Sequence, residues 1–370
     1  MPVPKKFHDA VKGDFSVFWQ AAIEAEINNL KKYKVFTWVP RPPGRHLIDS
    51  SWVWKCKSAD DGGIDKFKAR LVARGFRQIF GTDFLEVHSP VGRLTTFRAL
   101  VAEAAHRGMD YTFMDIRSAY LEAYLKVKQY MTPPDGVTPP SAGQVMRLDK
   151  GLYGLRQSGR RWHIQFRKNL LDWGFTASSA DTCLFVKTSG TSQIRVLLFV
   201  DDLAVFNDSD AAGQDMLAAL QKSIVGEGYK YSDSTDNHVY LGMAVEKLGS
   251  HSLFLHQKRY IGDIGVRFGV DKCPPVHTPY DGKRVSIRDC PSWVPDEMPP
   301  PGARVKRGGD GRSEARRGKI APKGGNVLTK KYREMTGALR WVEQCTRPDI
   351  SAVLSELSKV QSDPGQVHMD

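Results

Sequence analysis

No apolar run in this chain comes near the ~20 residues a membrane-crossing helix needs, so a helical span is excluded. The N-terminal Met-Pro-Val-Pro-Lys-Lys-Phe-His has neither the apolar core nor the small-residue cleavage site of a secretory signal, and secretion is not expected. Cysteine is scarce: five in 370 residues, an odd number, far apart, with no Cys-x-x-Cys pair. That spacing suggests neither a disulfide framework nor a zinc site. Acidic charge is also in deficit, with 41 Asp and Glu against 54 Lys and Arg, a formal net charge of +13. Such an excess favours a polyanionic partner, because Lys and Arg displace counterions from phosphate backbones. Charge alone does not distinguish nucleic-acid binders from other basic proteins.

What is present is an ordinary globular pattern, 41% hydrophobic and 10% aromatic. Trp19, Ile23, Ile27 and Leu30 recur at helical spacing and predict an amphipathic helix ending near Lys32. Ser51–Lys57 and Phe67–Gly75 read as two strands joined by an Asp60-Asp61-Gly62-Gly63 turn, a hairpin carrying Lys55, Lys57, Lys68, Arg70 and Arg74. A helix over 93–107 leads into a strand at Tyr111–Ile116, with Asp115 near its end. A strand at Gln144–Leu148 precedes a helix whose one face carries Trp162, Phe166, Leu170 and Trp173. Further on, a helix is expected over Ala211–Ile224 and a strand pair at His238–Glu246 and Ser252–His256. The fold class is α+β. Between Lys283 and Gly325 the chain holds eleven Lys or Arg against five Asp or Glu with few apolar residues, the composition of a disordered linker.

The chemistry concentrates in aspartates. Ile194–Val200 is a β-branched strand interrupted by Asp201-Asp202 and resumed at Leu203–Phe206, a hairpin with both carboxylates at its tip. Adjacent acids in an apolar strand are costly unless neutralised. Two readings are open: a polar turn, or carboxylates that join Asp115 in holding two Mg²⁺ ions ~3.5–4 Å apart for in-line phosphoryl transfer.

Three motifs then carry a resemblance. Phe199-Val200-Asp201-Asp202 is similar to a Tyr-Val-Asp-Asp box, and Phe113-Met114-Asp115-Ile116-Arg117-Ser118-Ala119-Tyr120-Leu121 to an Asp-Val-x-x-Ala-Phe-Leu motif. Leu152-Tyr153-Gly154-Leu155-Arg156-Gln157-Ser158-Gly159-Arg160-Arg161-Trp162 is similar to Leu-Tyr-Gly-Leu-Lys-Gln-Ala-Pro-Arg-x-Trp. In this order the chain resembles the reverse transcriptases of copia-type LTR retrotransposons. Lys68–Phe76, Ser89-Pro90-Val91, Tyr240–Met243, Cys273–Pro279 and Thr346–Ile350 agree, so the resemblance covers about 15–282 and 328–368. Phe199 for Tyr, Ser158-Gly159 for Ala-Pro and Glu122-Ala123-Tyr124 for Asn-Gly-Asp depart from the family pattern without removing a carboxylate.

The resemblance implies a right-hand polymerase: fingers at about 15–110 and 145–185, an antiparallel palm at 111–144 and 186–250, and a mostly helical thumb or connection from about 256. The insert at 283–327 would interrupt it, 328–370 would resume it, and a following ribonuclease H domain has no room here. Asp115, Asp201 and Asp202 would be the catalytic, metal-binding triad for two Mg²⁺ ions, or Mn²⁺ in their place. Tyr120 would be a steric gate against a 2′-hydroxyl, Gln157 would lie against the nucleotide, and Lys68 and Arg70 would meet the triphosphate. Leu241, Gly242 and Met243 would grip the primer, while Trp162 reads as packing. The partners implied are an RNA or DNA template–primer and dNTPs, not a membrane, in cytoplasmic virus-like particles; the oligomeric state is left open. The alternative is a catalytically silent relic that only binds nucleic acid.

Overall fold

The computed structural model describes residues 3–58, 64–233, 239–274, 285, 327–365 and 368. The expected turn at 60–63, the segment 275–279 and, Val285 apart, the basic stretch at 283–325 lie outside the described residues. Two compact units emerge, Met1–His238 with Gly249–Ser252, and Val239–Leu248 with Leu253–Asp370.

The first unit begins with helices α1 (Phe7–Lys12) and α2 (Ser16–Lys32) and strands β1 (Phe36–Pro40), β2 (Leu47–Ile48), β3 (Ser50–Ser58) and β4 (Ile64–Ala73). It continues through α3 (Leu94–Arg107), β5 (Asp110–Ile116), β6 (Tyr124–Met131), β7 (Gln144–Lys150) and α4 (Ser158–Asp172). The strands β8 (Thr176–Ala177), β9 (Leu184–Ser189), β10 (Ser192–Phe199) and β11 (Asp202–Asn207) follow, then α5 (Ala211–Gly226) and β12 (Tyr231–Asp233). Helical starts and stops have local causes. The Asp210 side chain caps α5 by accepting from Gly213 N at 2.8 Å, and α3 ends at Gly108, whose φ of +66° costs a residue without Cβ little.

Six strands form the central sheet in the order β12-β5-β11-β10-β9-β8. Alternation along each strand sorts its two faces. Met114, Ile116, Val196, Leu198, Leu203 and Val205 pack against Trp162, Phe166 and Leu170 of α4 and Met216, Leu220 and Ile224 of α5. On the other face Phe113 and Phe206 meet Phe97 of α3, with ring centroids 6.1 and 6.3 Å away. Each fully buried aliphatic or aromatic side chain contributes roughly 1.5–3 kcal/mol.

A second core gathers the sheet β1-β7-β6-β2, the β3–β4 hairpin and α2. The hairpin pairs Trp54 with Ala69, Lys55 with Lys68 and Val53 with Arg70. Period two therefore sends Trp52, Trp54, Ala69 and Leu71 onto Trp19, Ile23, Ile27 and Leu30 of α2, leaving Lys55, Lys68 and Arg70 on the opposite face. The hairpin's end docks on the loop before α4. Ala73 N donates to the Tyr153 carbonyl at 2.8 Å, and a Cβ on Gly75 would fall 2.1 Å from the Gly154 oxygen. One on Gly154, at φ +86°, would fall 2.1 Å from the Ala73 oxygen, so neither position accepts a side chain.

The second unit holds β13 (Val239–Tyr240), β14 (Met243–Gly249), β15 (Ser252–His256), α6 (Lys258–Phe268), α7 (Val327–Cys345) and α8 (Ser351–Ser358). The single strand expected over His238–Glu246 is instead two strands of a hairpin. Leu241 and Gly242 both take positive φ, +52° and +78°, as a two-residue type I′ turn requires. Tyr332 of α7 donates its hydroxyl to the Leu357 carbonyl of α8 at 2.8 Å.

Candidate active site

Asp115, Asp201 and Asp202 all lie at one end of the central sheet. Asp115 closes the β5 face that carries Tyr111 and Phe113, and Asp202 opens β11 directly opposite it, so the two side chains share a face. This corrects the expectation of both acids at a hairpin tip. Only Val200 and Asp201 form the β10–β11 turn, because Asp202 already pairs with Phe199 in the ladder. Val200 sits at φ +60°, costly for a β-branched residue. Its strain is held from both sides: Trp162 Nε1 donates to the Val200 carbonyl at 2.6 Å, and Ile116 N to the Asp201 carbonyl at 2.8 Å. Trp162, fully buried, is thus both a packing residue and the anchor of the turn.

Burial pushes the Asp201 carboxyl up; a main-chain hydrogen bond pulls it down, Asp115 pushes it up, and Arg70 pulls it back. Asp202 is pushed up to about 7, first by burial and then by Asp201 and Asp115. Asp201 and Asp202 therefore resist carrying charge side by side. Among the described residues no three His, Cys, Asp or Glu side chains are gathered into a group that could hold a metal ion.

Around the acids, Tyr120 lies in a 3-10 turn, Ala119–Glu122, entered through Ser118 at φ +60°. Its half-buried ring meets Tyr153 edge-on at 5.8 Å. Burial, then the charge of Asp201, raises the Tyr120 hydroxyl. The Arg70 guanidinium lies 5.2 Å from the Tyr153 ring centroid. Lys68, two residues back, shares the Arg70 face, with Lys55 opposite it. Gln157 stands immediately before α4 but is 6% exposed. Its Oε1 accepts from Gln78 Nε2 at 3.0 Å and its Nε2 donates to the Asp83 carbonyl at 3.3 Å, so both ends of the amide are engaged. Leu241, Gly242 and Met243 belong to the second unit, as the turn of its hairpin and the first residue of β14.

Sequence reasoning missed Gln78, Asp83 and Gln129, the buried polar side chains around Gln157; they lie far apart in the chain and form no motif. It also missed Val200 and Ser118 as strained positions, for which an unexpected non-glycine at each turn is the sole local signal.

A family model described as reverse transcriptase (RNA-dependent DNA polymerase) matches residues 33–281. The Pol polyprotein of transposon TNT 1-94 from Nicotiana tabacum is 29% identical over 354 residues, 94% of this chain and 24% of the relative. The Pol polyprotein of transposon RE1 from Arabidopsis thaliana is 29% identical over 355 residues, 95% of this chain and 21% of the relative. The Ty1-DR1 Gag-Pol polyprotein of Saccharomyces cerevisiae is 28% identical over 254 residues, 66% of this chain and 13% of the relative. The chain thus spans about a quarter or less of each of these relatives.

Proposed function

This chain belongs to the reverse transcriptase family, and from that premise we propose that it is the polymerase segment of a copia-type retrotransposon Pol polyprotein. It extends a primer on an RNA or DNA template by transferring a nucleotidyl group from a dNTP to the primer 3′-hydroxyl. The observation that carries the reading is the cross-strand placement of Asp115 and Asp202 beside Asp201 on a strained turn. In a right-hand arrangement the six-stranded sheet is the palm, and the β3–β4 hairpin with α2 belongs to the fingers.

The donor set suits a hard divalent cation: carboxylate oxygens only, and acids whose mutual repulsion a cation would relieve. Asp115, Asp201 and Asp202 would hold two Mg²⁺, or Mn²⁺. Bound there, the ions would supply positive charge to the attacking and leaving oxygens. Arg70 and Lys68 offer charge-assisted hydrogen bonds to a triphosphate. The Tyr120 ring walls the space a 2′-hydroxyl would need. Gln157 acts as a fixed part of the nucleotide pocket, since its amide is already committed. Leu241–Met243 is assigned to the primer by family resemblance, as is work within cytoplasmic particles.

Primer extension on an RNA template with Mg²⁺ tests the reading, using the parent and Asp201→Asn. The variant keeps size but loses charge, and its rate should fall by several orders of magnitude, ~1.4 kcal/mol of barrier per tenfold. Template–primer affinity should change little, because it rests on Lys and Arg contacts to phosphates. Equal extension by both proteins rejects the mechanism. A parent that binds template–primer but never extends it is the nucleic-acid-binding relic.

A further inference from the structure

The main chain of Tyr120 is held tightly, and its neighbours fix the ring in every direction but one. Leu121 N closes the turn by donating to the Ser118 carbonyl at 2.8 Å. Gly151 packs on the Tyr120 carbonyl, where a Cβ would fall 2.5 Å from the oxygen. That glycine is itself pinned. Gly151 N donates to the Ala123 carbonyl at 2.8 Å, and the Ser158 hydroxyl accepts from Leu152 N at 3.1 Å and donates to the Leu152 carbonyl at 2.8 Å. Tyr153 then backs the ring edge-on at 5.8 Å.

The hydroxyl end of the ring faces a gap on α4. A Cβ built on Gly159 would lie 3.9 Å from the Tyr120 hydroxyl oxygen, and 3.6 and 3.8 Å from Ser89 Cβ and Oγ. These are ordinary van der Waals separations, so one methyl group fits between helix, serine and hydroxyl without displacing any of them. Ser89 is a firm wall, because the stretch around it is tied down on both sides. Arg160 donates to Glu86 Oε2 at 2.6 Å and to the His88 carbonyl at 2.9 Å, and Gly92 N donates to the Leu198 carbonyl at 2.9 Å. Gly159 is the second residue of α4 and does not take a positive φ, so the backbone gives no reason for glycine there, and alanine would favour the helix. The sequence supplies a further hint. The family pattern has Phe where Tyr120 stands and Pro where Gly159 stands. Here the ring has gained an oxygen and the helix has lost its side-chain atoms, so both departures fall on this one gap, which is filled from the ring side rather than from the helix side.

We propose that Gly159 is a positioning residue for sugar selection: the clearance it leaves at the Tyr120 hydroxyl sets how far the ring can retreat from an incoming sugar, and so how strictly ribonucleotides are refused. A 2′-hydroxyl adds one heavy atom to the sugar. A ring with empty space behind it yields to that atom at little cost, whereas a ring backed by contact yields only by displacing close-packed neighbours. The inference rests on the reading of Tyr120 as the gate and adds what stands behind it.

The test measures kcat/KM for a dNTP and for the matching ribonucleotide in Mg²⁺-supported primer extension by the full chain, and takes their ratio. The variants are Gly159→Ala, Tyr120→Phe and the two combined. Gly159→Ala fills the gap and should raise the ratio about tenfold, the scale of one methyl group in a shaped pocket. Tyr120→Phe removes the oxygen that borders the gap and should lower it. Once that oxygen is gone the added methyl no longer reaches the ring, so Gly159→Ala should have no effect in combination with Tyr120→Phe. Thermal unfolding follows the helix separately, and alanine at this unstrained site should not destabilise it. An unchanged ratio in Gly159→Ala or in Tyr120→Phe overturns the inference. So does an equal effect of Gly159→Ala with and without Tyr120→Phe, which would mean that it acts through the helix and not through the hydroxyl. In either case a parent that extends primers keeps the polymerase reading, whereas a parent that extends none removes that reading and this inference with it.

Discussion

At Tyr120 the side chain is fixed by its neighbours: Tyr153 edge-on, Arg70 beyond it, and Asp201 close enough to act on the hydroxyl. If the ring excludes a 2′-hydroxyl, Tyr120→Val should admit ribonucleotides while DNA synthesis stays detectable. Parallel incorporation assays check this, and equal rejection of ribonucleotides by both proteins removes the gate assignment. Glu26 makes a different kind of statement. It is buried under the β3–β4 hairpin, where desolvation raises its carboxyl against the opposing pull of the Leu71 N–H, Lys68 and Arg70. A carboxyl raised in the folded state binds its proton more tightly there than in the unfolded chain. Its contribution is therefore fully present below the unfolded value of 4.5 and is lost as pH rises through the folded value. Glu26→Gln keeps an acceptor for Leu71 N without the charge. Its melting temperature should gain on the parent's as pH climbs from about 4.5 toward neutrality; a gap that stays constant across that window counts against the assignment. At this scale the sequence displayed the acids but not their partners. Nothing near Asp202 announces that it faces Asp115, and nothing near Gln78 announces Gln157.

Helices α2, α3 and α4 were legible because each has one apolar stripe, the β3–β4 hairpin because it alternates, and the β10–β11 hairpin because two apolar runs flank Asp201-Asp202. Strand β6 was not. Its inward positions include Gln129, buried at 1% exposure and satisfied by Gln78 and Asp83, and its register with β7 shifts between Tyr124 and Gln129. A polar residue facing inward and an irregular register erase the period-two signal. Three-residue β12 is too short to have one. The β10–β11 turn illustrates how an element relies on its neighbour, since Trp162 of α4 holds a carbonyl that no residue of the hairpin satisfies. Trp162→Phe keeps an aromatic ring but strands that carbonyl and leaves space, a loss of about 1–3 kcal/mol. Thermal unfolding should fall by several degrees. An unchanged melting temperature would show that the turn does not depend on the indole.

For the whole molecule, order and spacing of motifs indicated the family before any coordinate, since three short motifs in sequence say more than composition can. The net charge of +13 fits a polyanionic partner, but only the site gives that charge something to serve. The second unit begins at Val239 with strands, ahead of the change to a helical pattern after Arg259, and no sequence signal marked that start. One contact joins stretches that the chain keeps far apart. A Cβ on Gly75 would strike the Gly154 carbonyl and one on Gly154 the Ala73 carbonyl, so each glycine is required by main-chain atoms of the other stretch. Because every residue type carries those main-chain oxygens, no substitution at one of the two positions makes room at the other: each glycine is required independently, and an alanine at either should loosen the docking of the hairpin on the loop before α4.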